Sequence, residues 1–170
     1  GQAGNSNTAH LYFVEKDPTT WELVDKGAFG KMRYFMSGDL FDFDFNGHRL
    51  EEGLDYTLIY YPDPWPGQGL ICLGSATANV EGEVHIEGLV DTGDMPAAFD
   101  DNYPMGAKLW LVLTADVDCT MQYMVGWNPA EYLFEYDLIT FDAFDGPEPQ
   151  FSPKNPDESS SWSSIKSLYR

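Results

Sequence analysis

Residues 41–45 read Phe-Asp-Phe-Asp-Phe, an alternation of large apolar and charged side chains with a period of two. In an extended strand successive side chains point to opposite faces, so this stretch can bury one face and wet the other. No feature constrains the fold more, because the period recurs along the chain. The runs "TAHLYFVE" (8–15), "FGKMRYFM" (29–36), "DLFDFDF" (39–45) and "DYTLIYY" (55–61) are short and β-rich. So are "GLICLGSATA" (69–78), "EVHIEGLV" (83–90), "KLWLVLTADV" (108–117) and "YLFEYDLITF" (132–141). Gly, Pro, Asn or Asp clusters separate most of them. With no long 3.6-period segment, the pattern predicts an all-β fold. An antiparallel β-sandwich, jelly-roll or immunoglobulin-like, is expected, with a barrel as the related solution.

The joints fit that reading. "ANVEGE" (78–83) has the form of a compact hairpin turn, and "PDPWPGQG" (62–69) must be loop because its three prolines lack ladder donors. Residues 109–113 are nearly all apolar, as in a central strand covered on both faces. The longest irregular piece is 91–106, and loops of that length are often functional. Three segments follow: a polar tail over 1–9, a β domain over 10–144, and a Pro/Ser-rich extension over 145–170. That extension ends by placing Trp162, Ile165, Leu168 and Tyr169 on one helical face. Such a tail is too short to be stable alone, so its apolar stripe needs a surface to cover.

The 28 acids against 9 bases give a net charge of −19. A surface of that sign repels phosphate backbones and anionic lipid, which argues against nucleic-acid and membrane-surface binding. No apolar run approaches the roughly 20 residues needed to span a bilayer. The small, polar start "GQAGNSNT" is what a mature exported chain would carry. Cys72 and Cys119 fall on what read as different strands, with no C-x-x-C and no third ligand; a disulfide in an oxidising, extracellular setting is expected, with two buried thiols as the bland alternative.

Candidate chemistry is sparse. "DFDFNG" (42–47) matches the start of a calcium loop, but position 8 is Arg49 and position 12 is Gly53 where a bidentate Glu is required. Phe41, Phe43 and Phe45 therefore read as core, Asp42 and Asp44 as the wet face, and Asn46-Gly47 as the turn. As a catalytic pair, Asp42 and Asp44 would stand about 7 Å apart, but an open strand face offers nothing to hold a proton on either. The long loop is the better calcium candidate, through Asp91, Asp94, Asp100 and Asp101; exposed loop acids are the bland alternative, and no other cofactor is expected. His85 shares its wet face with Glu83 and Glu87, although nothing in the spacing brings His10 or His48 there. Tyr61, Trp65 and Trp127 could build a sugar-stacking platform, or simply close a sheet corner. No motif pairs a nucleophile with a base, so an enzyme is not expected.

Together "GLDYTLIYYPDPWPGQGLICLGSATANVEGEVHIEG" (53–88), "GAKLWLVLTADVDC" (106–119) and "GWNPAEYLFEYDLI" (126–139) resemble an uncharacterised group of secreted domains in archaea, methanogens especially, and some bacteria. With "WELVDKGAFGKMRY" (21–34) the resemblance covers about residues 10–141. It implies export and a cell-surface setting and brings no activity or catalytic residues. The expectation is an extracellular, non-enzymatic homopolymer, a filament or surface-layer subunit. Self-association would run through strand addition by 8–15, with Leu11 and Phe13 at the contact, or through Trp162, Ile165, Leu168 and Tyr169. A module for glycan or calcium is the alternative.

Overall fold

The computed structural model describes residues 7–144. Twelve strands follow in chain order among them: β1 (Thr8–Val14), β2 (Phe29–Phe35), β3 (Ser37–Gly38), β4 (Phe41–His48), β5 (Asp55–Tyr61), β6 (Ile71–Thr77), β7 (Val84–Val90), β8 (Lys108–Leu113), β9 (Val117–Asp118), β10 (Tyr123–Met124), β11 (Leu133–Glu135) and β12 (Asp142–Ala143). Eight of them form one antiparallel sheet in the order β6-β5-β8-β11-β1-β2-β4-β7. Each of the eight alternating runs supplies one strand of it, so the fold is all-β and antiparallel as the period requires. Two small ladders stand apart, β9 with β10 and β3 parallel to β12. No helix among the described residues is long and apolar enough to cross a membrane.

All eight strands feed one core, for example through Phe13, Met32, Phe43, Leu58, Leu73, Ile86, Leu109 and Leu133. A flat sheet could not bring these side chains together, so the sheet rolls until its edge strands, β6 and β7, face each other. A Cβ built on Gly74 of β6 would lie 2.6 Å from Cγ2 of Ile86 in β7. No ladder joins the two edges, so packing rather than hydrogen bonding closes the roll. The packed layers expected of a sandwich are here parts of one continuous sheet.

The turn at 78–83 is present: Asn79 Oδ1 accepts from the N–H groups of Glu81 and Glu83 at 2.9 and 3.0 Å, and Gly82 has φ +76°. It does not make a hairpin. Its flanking strands already have ladder partners, β6 with β5 and β7 with β4, and the turn carries the chain from one edge of the sheet to the other. Asn46-Gly47 is also not a turn, because β4 continues through it to His48. Gly47 faces the core, where a Cβ would meet Leu50 and Val84 at 3.0 Å, and it lies opposite Gly30, whose Cβ would strike the Phe45 ring at 2.7 Å. The two glycines leave room for that ring, which packs edge-on against Phe13 at 4.9 Å. Phe41, Phe43 and Phe45 are core, as the alternation predicts, with Asp42 and Asp44 half-exposed on the other face.

β1 lies inside the sheet, between β11 and β2. Leu11 and Phe13, expected at a contact between copies, are instead 2% and 1% exposed within their own chain. For 8–15 one edge is paired along its whole length with β2 and the other with β11 at Phe13 and Val14, so Leu11 and Phe13 serve the chain's own core. Trp162, Ile165, Leu168 and Tyr169 lie outside the described residues.

Candidate binding site

β5, β8 and β11 are apolar on both faces. Leu58, Leu109, Leu111 and Leu133 point into the roll, while Ile59, Tyr61, Trp110, Val112 and Phe134 form a second cluster outside it. That outer face must be covered, and residues 114–132 with the proline-rich loop 62–70 cover it. The run that begins β8 breaks at a 3-10 turn, Thr114–Asp116, and β9, β10 and a second 3-10 turn, Pro129–Glu131, complete the cover. Three ties hold it. Cys72 of β6 is bonded to Cys119, as the sequence led one to expect. Asp116, buried, accepts from the Tyr132 hydroxyl and from Asn128 Nδ2 at 2.9 Å. Gln122 donates to the Leu70 carbonyl at 3.1 Å.

Two tryptophans of this cover, Trp65 and Trp127, meet a third, Trp21, that comes from the turn after β1. Trp127 is the hub: Trp65 meets it edge-on at 5.4 Å and Trp21 lies nearly parallel at 6.4 Å. Beneath are Trp110 at 5.9 Å and Tyr132 at 5.5 Å. Trp21 is 44% exposed, Trp65 51% and Trp127 44%, so the cluster is firmly seated below and open above. Trp65 and Trp127 are therefore brought together as the sugar reading requires. Tyr61 is not part of the open surface, since it is buried, stacked on Trp110 at 4.0 Å, and its hydroxyl is pushed up to about 12 by burial and then by the charges of Asp63 and Asp100. Trp21 was not singled out from sequence. It arrives on a turn built by Asp17, whose Oδ1 accepts from the N–H groups of Thr19 and Thr20 at 2.7 and 3.2 Å, and such a turn has no period to announce it.

Polar groups rim the rings. Lys16 Nζ lies 5.3 Å from the Trp21 centroid, within cation–π range, and Lys108 is paired with Asp63 at 2.7 Å. Glu135 follows Phe134 in β11, and its Oε1 is buried without a hydrogen-bond partner among the described residues. Burial pushes this carboxyl up to about 7, against the opposing pull of its own backbone N–H, Lys108 and Lys16.

Among the described residues, no three of the long loop's carboxylates bring their oxygens together. Asp100 is 3% exposed and fully engaged, accepting from Tyr60 Oη at 2.6 Å, from the N–H groups of Asp63 and Asn102 at 3.2 and 2.9 Å, and from Asn102 Nδ2 at 3.1 Å. Burial first, and this bond second, raise the Tyr60 hydroxyl well above its ordinary value. Asp94 accepts from the Ala143 N–H at 2.8 Å, Asp101 donates its own N–H to the Asp63 carbonyl at 3.2 Å, and Asp91 is exposed at the end of β7. Asp94 and Asp100 fasten the loop through their side chains. Among the described residues, the only three His, Cys, Asp or Glu side chains whose ligand atoms approach within 4.8 Å of each other are Asp44, His85 and Glu87.

No protein-family model, no curated protein and no solved structure matches the chain.

Proposed function

We propose that the protein is a secreted, non-enzymatic module that binds carbohydrate through Trp21, Trp65 and Trp127. One observation carries this reading: three contiguous tryptophan rings, each about half exposed, two of them, Trp65 and Trp127, on a cover tied down by a disulfide and a buried Tyr–Asp pair. Sugar rings offer apolar C–H faces that lie against aromatic faces, and their hydroxyls seek polar groups at the rim. Lys16, over the Trp21 ring, is one such group. On a chain of net charge −19, a continuous aromatic patch works against solubility unless something covers it in use. The disulfide supports an oxidising, extracellular setting, in line with the resemblance to exported domains.

A glycan array followed by titration of tryptophan emission tests this. Trp65 is the ring to change, because it contributes least to the packing below. Trp65→Ala should weaken binding by about tenfold or more with an unchanged melting temperature. An array without a hit, or a hit indifferent to Trp65→Ala, sinks the reading.

Self-association, as a filament or surface layer, is the second reading. What supports it is the same uncovered surface together with the apolar stripe Trp162, Ile165, Leu168 and Tyr169, which could supply a cover from a second copy.

A further inference from the structure

The outer face of β1, β2, β4 and β7 takes no part in the tryptophan cluster, and it carries all three histidines of the chain, His10, His48 and His85. Register sets its side chains in rows. One row runs His10, Arg33, Asp44, Glu87 and the next Tyr12, Lys31, Asn46, His85. Asp44 and Glu87 are thus like charges directly opposed, an arrangement that disfavours the sheet unless a cation lies between them. Arg33 does not neutralise Asp44: its guanidinium lies over Phe35 at 5.7 Å, and no ion pair joins the two among the described residues. His85, diagonal to Asp44, completes a triangle. Its Nε2 is 3.0 Å from Asp44 Oδ1 and 3.8 Å from Glu87 Oε1.

We propose that Asp44, His85 and Glu87 bind a borderline divalent transition-metal ion of the zinc type. Metal–ligand bonds of about 2.0–2.2 Å place the donors of one ion about 3–3.6 Å apart. The His85–Asp44 gap already has that length, and a small side-chain rotation closes the gap to Glu87. One imidazole with two carboxylates suits zinc, copper or nickel, whereas calcium and magnesium take oxygen ligands. Asn46 Nδ2 donates to Asp44 Oδ1 at 3.3 Å, steadying that carboxylate from the side as an outer partner would. The ligands come from two adjacent strands joined by one continuous ladder, so no loop has to be ordered on binding. Water completes the coordination on this open face, and His85 ligates through Nε2 as the neutral imidazole with its proton on Nδ1.

Isothermal titration of the untagged full chain with zinc chloride tests the proposal. One ion per chain is expected, with His85→Ala, Asp44→Asn and Glu87→Gln each weakening binding by about tenfold or more, and Glu22→Gln, far along the chain and exposed, leaving it unchanged. The three ligands lie outside the core, and melting curves of the variants confirm that they fold. With copper(II) as probe, electron paramagnetic resonance should show coupling to one imidazole nitrogen, lost in His85→Ala. No zinc binding at millimolar concentration, or an affinity that His85→Ala leaves intact, overturns the site. Since these strands do not contribute to the tryptophan cluster, either result is independent of glycan binding.

Discussion

Glu135 shows how much a single side chain depends on neighbours that its own segment does not reveal. Its folded-state pKa of about 7 lies above the ordinary 4.5, so between those values the folded chain holds a proton that the unfolded chain has released. The resulting stabilisation is fully present below about 4.5 and is lost as pH rises through about 7. Glu135→Gln, neutral throughout, should match its parent in urea midpoint at pH 5 and exceed it at pH 8, by about 1–3 kcal/mol. A gap of equal size at both pH values would place the ionisation elsewhere. The run 132–141 was legible as a strand, yet nothing local in it distinguishes Glu135 from the wet-face acids Asp42 and Asp44. Burial of a carboxylate is decided by which strand lies beside it. The same holds for Asp100, read as a loop acid, and Asp116, read within the run 108–117, which prove to be buried acceptors for Tyr60 and Tyr132. It holds again for Asp44, whose nearness to His85 exists only across the β4–β7 ladder.

Among the elements, strands were legible and their partners less so. Period two marks a strand and its buried face from local sequence alone, which is why all eight sheet strands could be read. Pairing is non-local, and the turn at 78–83 joins strands that ladder to others. The cover over β5, β8 and β11 was only half visible: the need for it was plain in the two-sided apolar stretch 109–113, but its residues, 114–132, have no regular period. Its disulfide closes a loop of 47 residues, for which chain entropy gives about 4 kcal/mol. Replacing Cys72 and Cys119 with serine should therefore lower the unfolding free energy by about 2–4 kcal/mol in guanidinium and shift folded-state tryptophan emission to the red as the cover loosens over Trp110. A loss below about 1 kcal/mol would assign the hold to Asp116 and Tyr132 instead. The candidate site was legible to the same degree. Trp65 and Trp127 stood out beside prolines, Tyr61 lies on the same side but buried beneath the cover, and Trp21 was hidden in a turn.

At the scale of the whole molecule, net charge and uncovered aromatic surface act in opposite directions. The charge of −19 keeps copies apart, most strongly at low salt, while the tryptophan cluster favours a cover. If the stripe at 162–169 of a second copy supplies that cover, light scattering should find assemblies that grow with salt and vanish when 157–170 is deleted. Intact and truncated chains that stay equally monomeric from low to high salt would remove self-association. The unlatched meeting of β6 and β7 bears on the molecule's history more than on its binding. A cylinder sewn shut by a ladder can change its girth only by changing its strand number or the stagger of its whole register. One closed by the touch of Gly74 on Ile86 can widen or narrow with a single side chain, and the rest of the sheet keeps its register through the change.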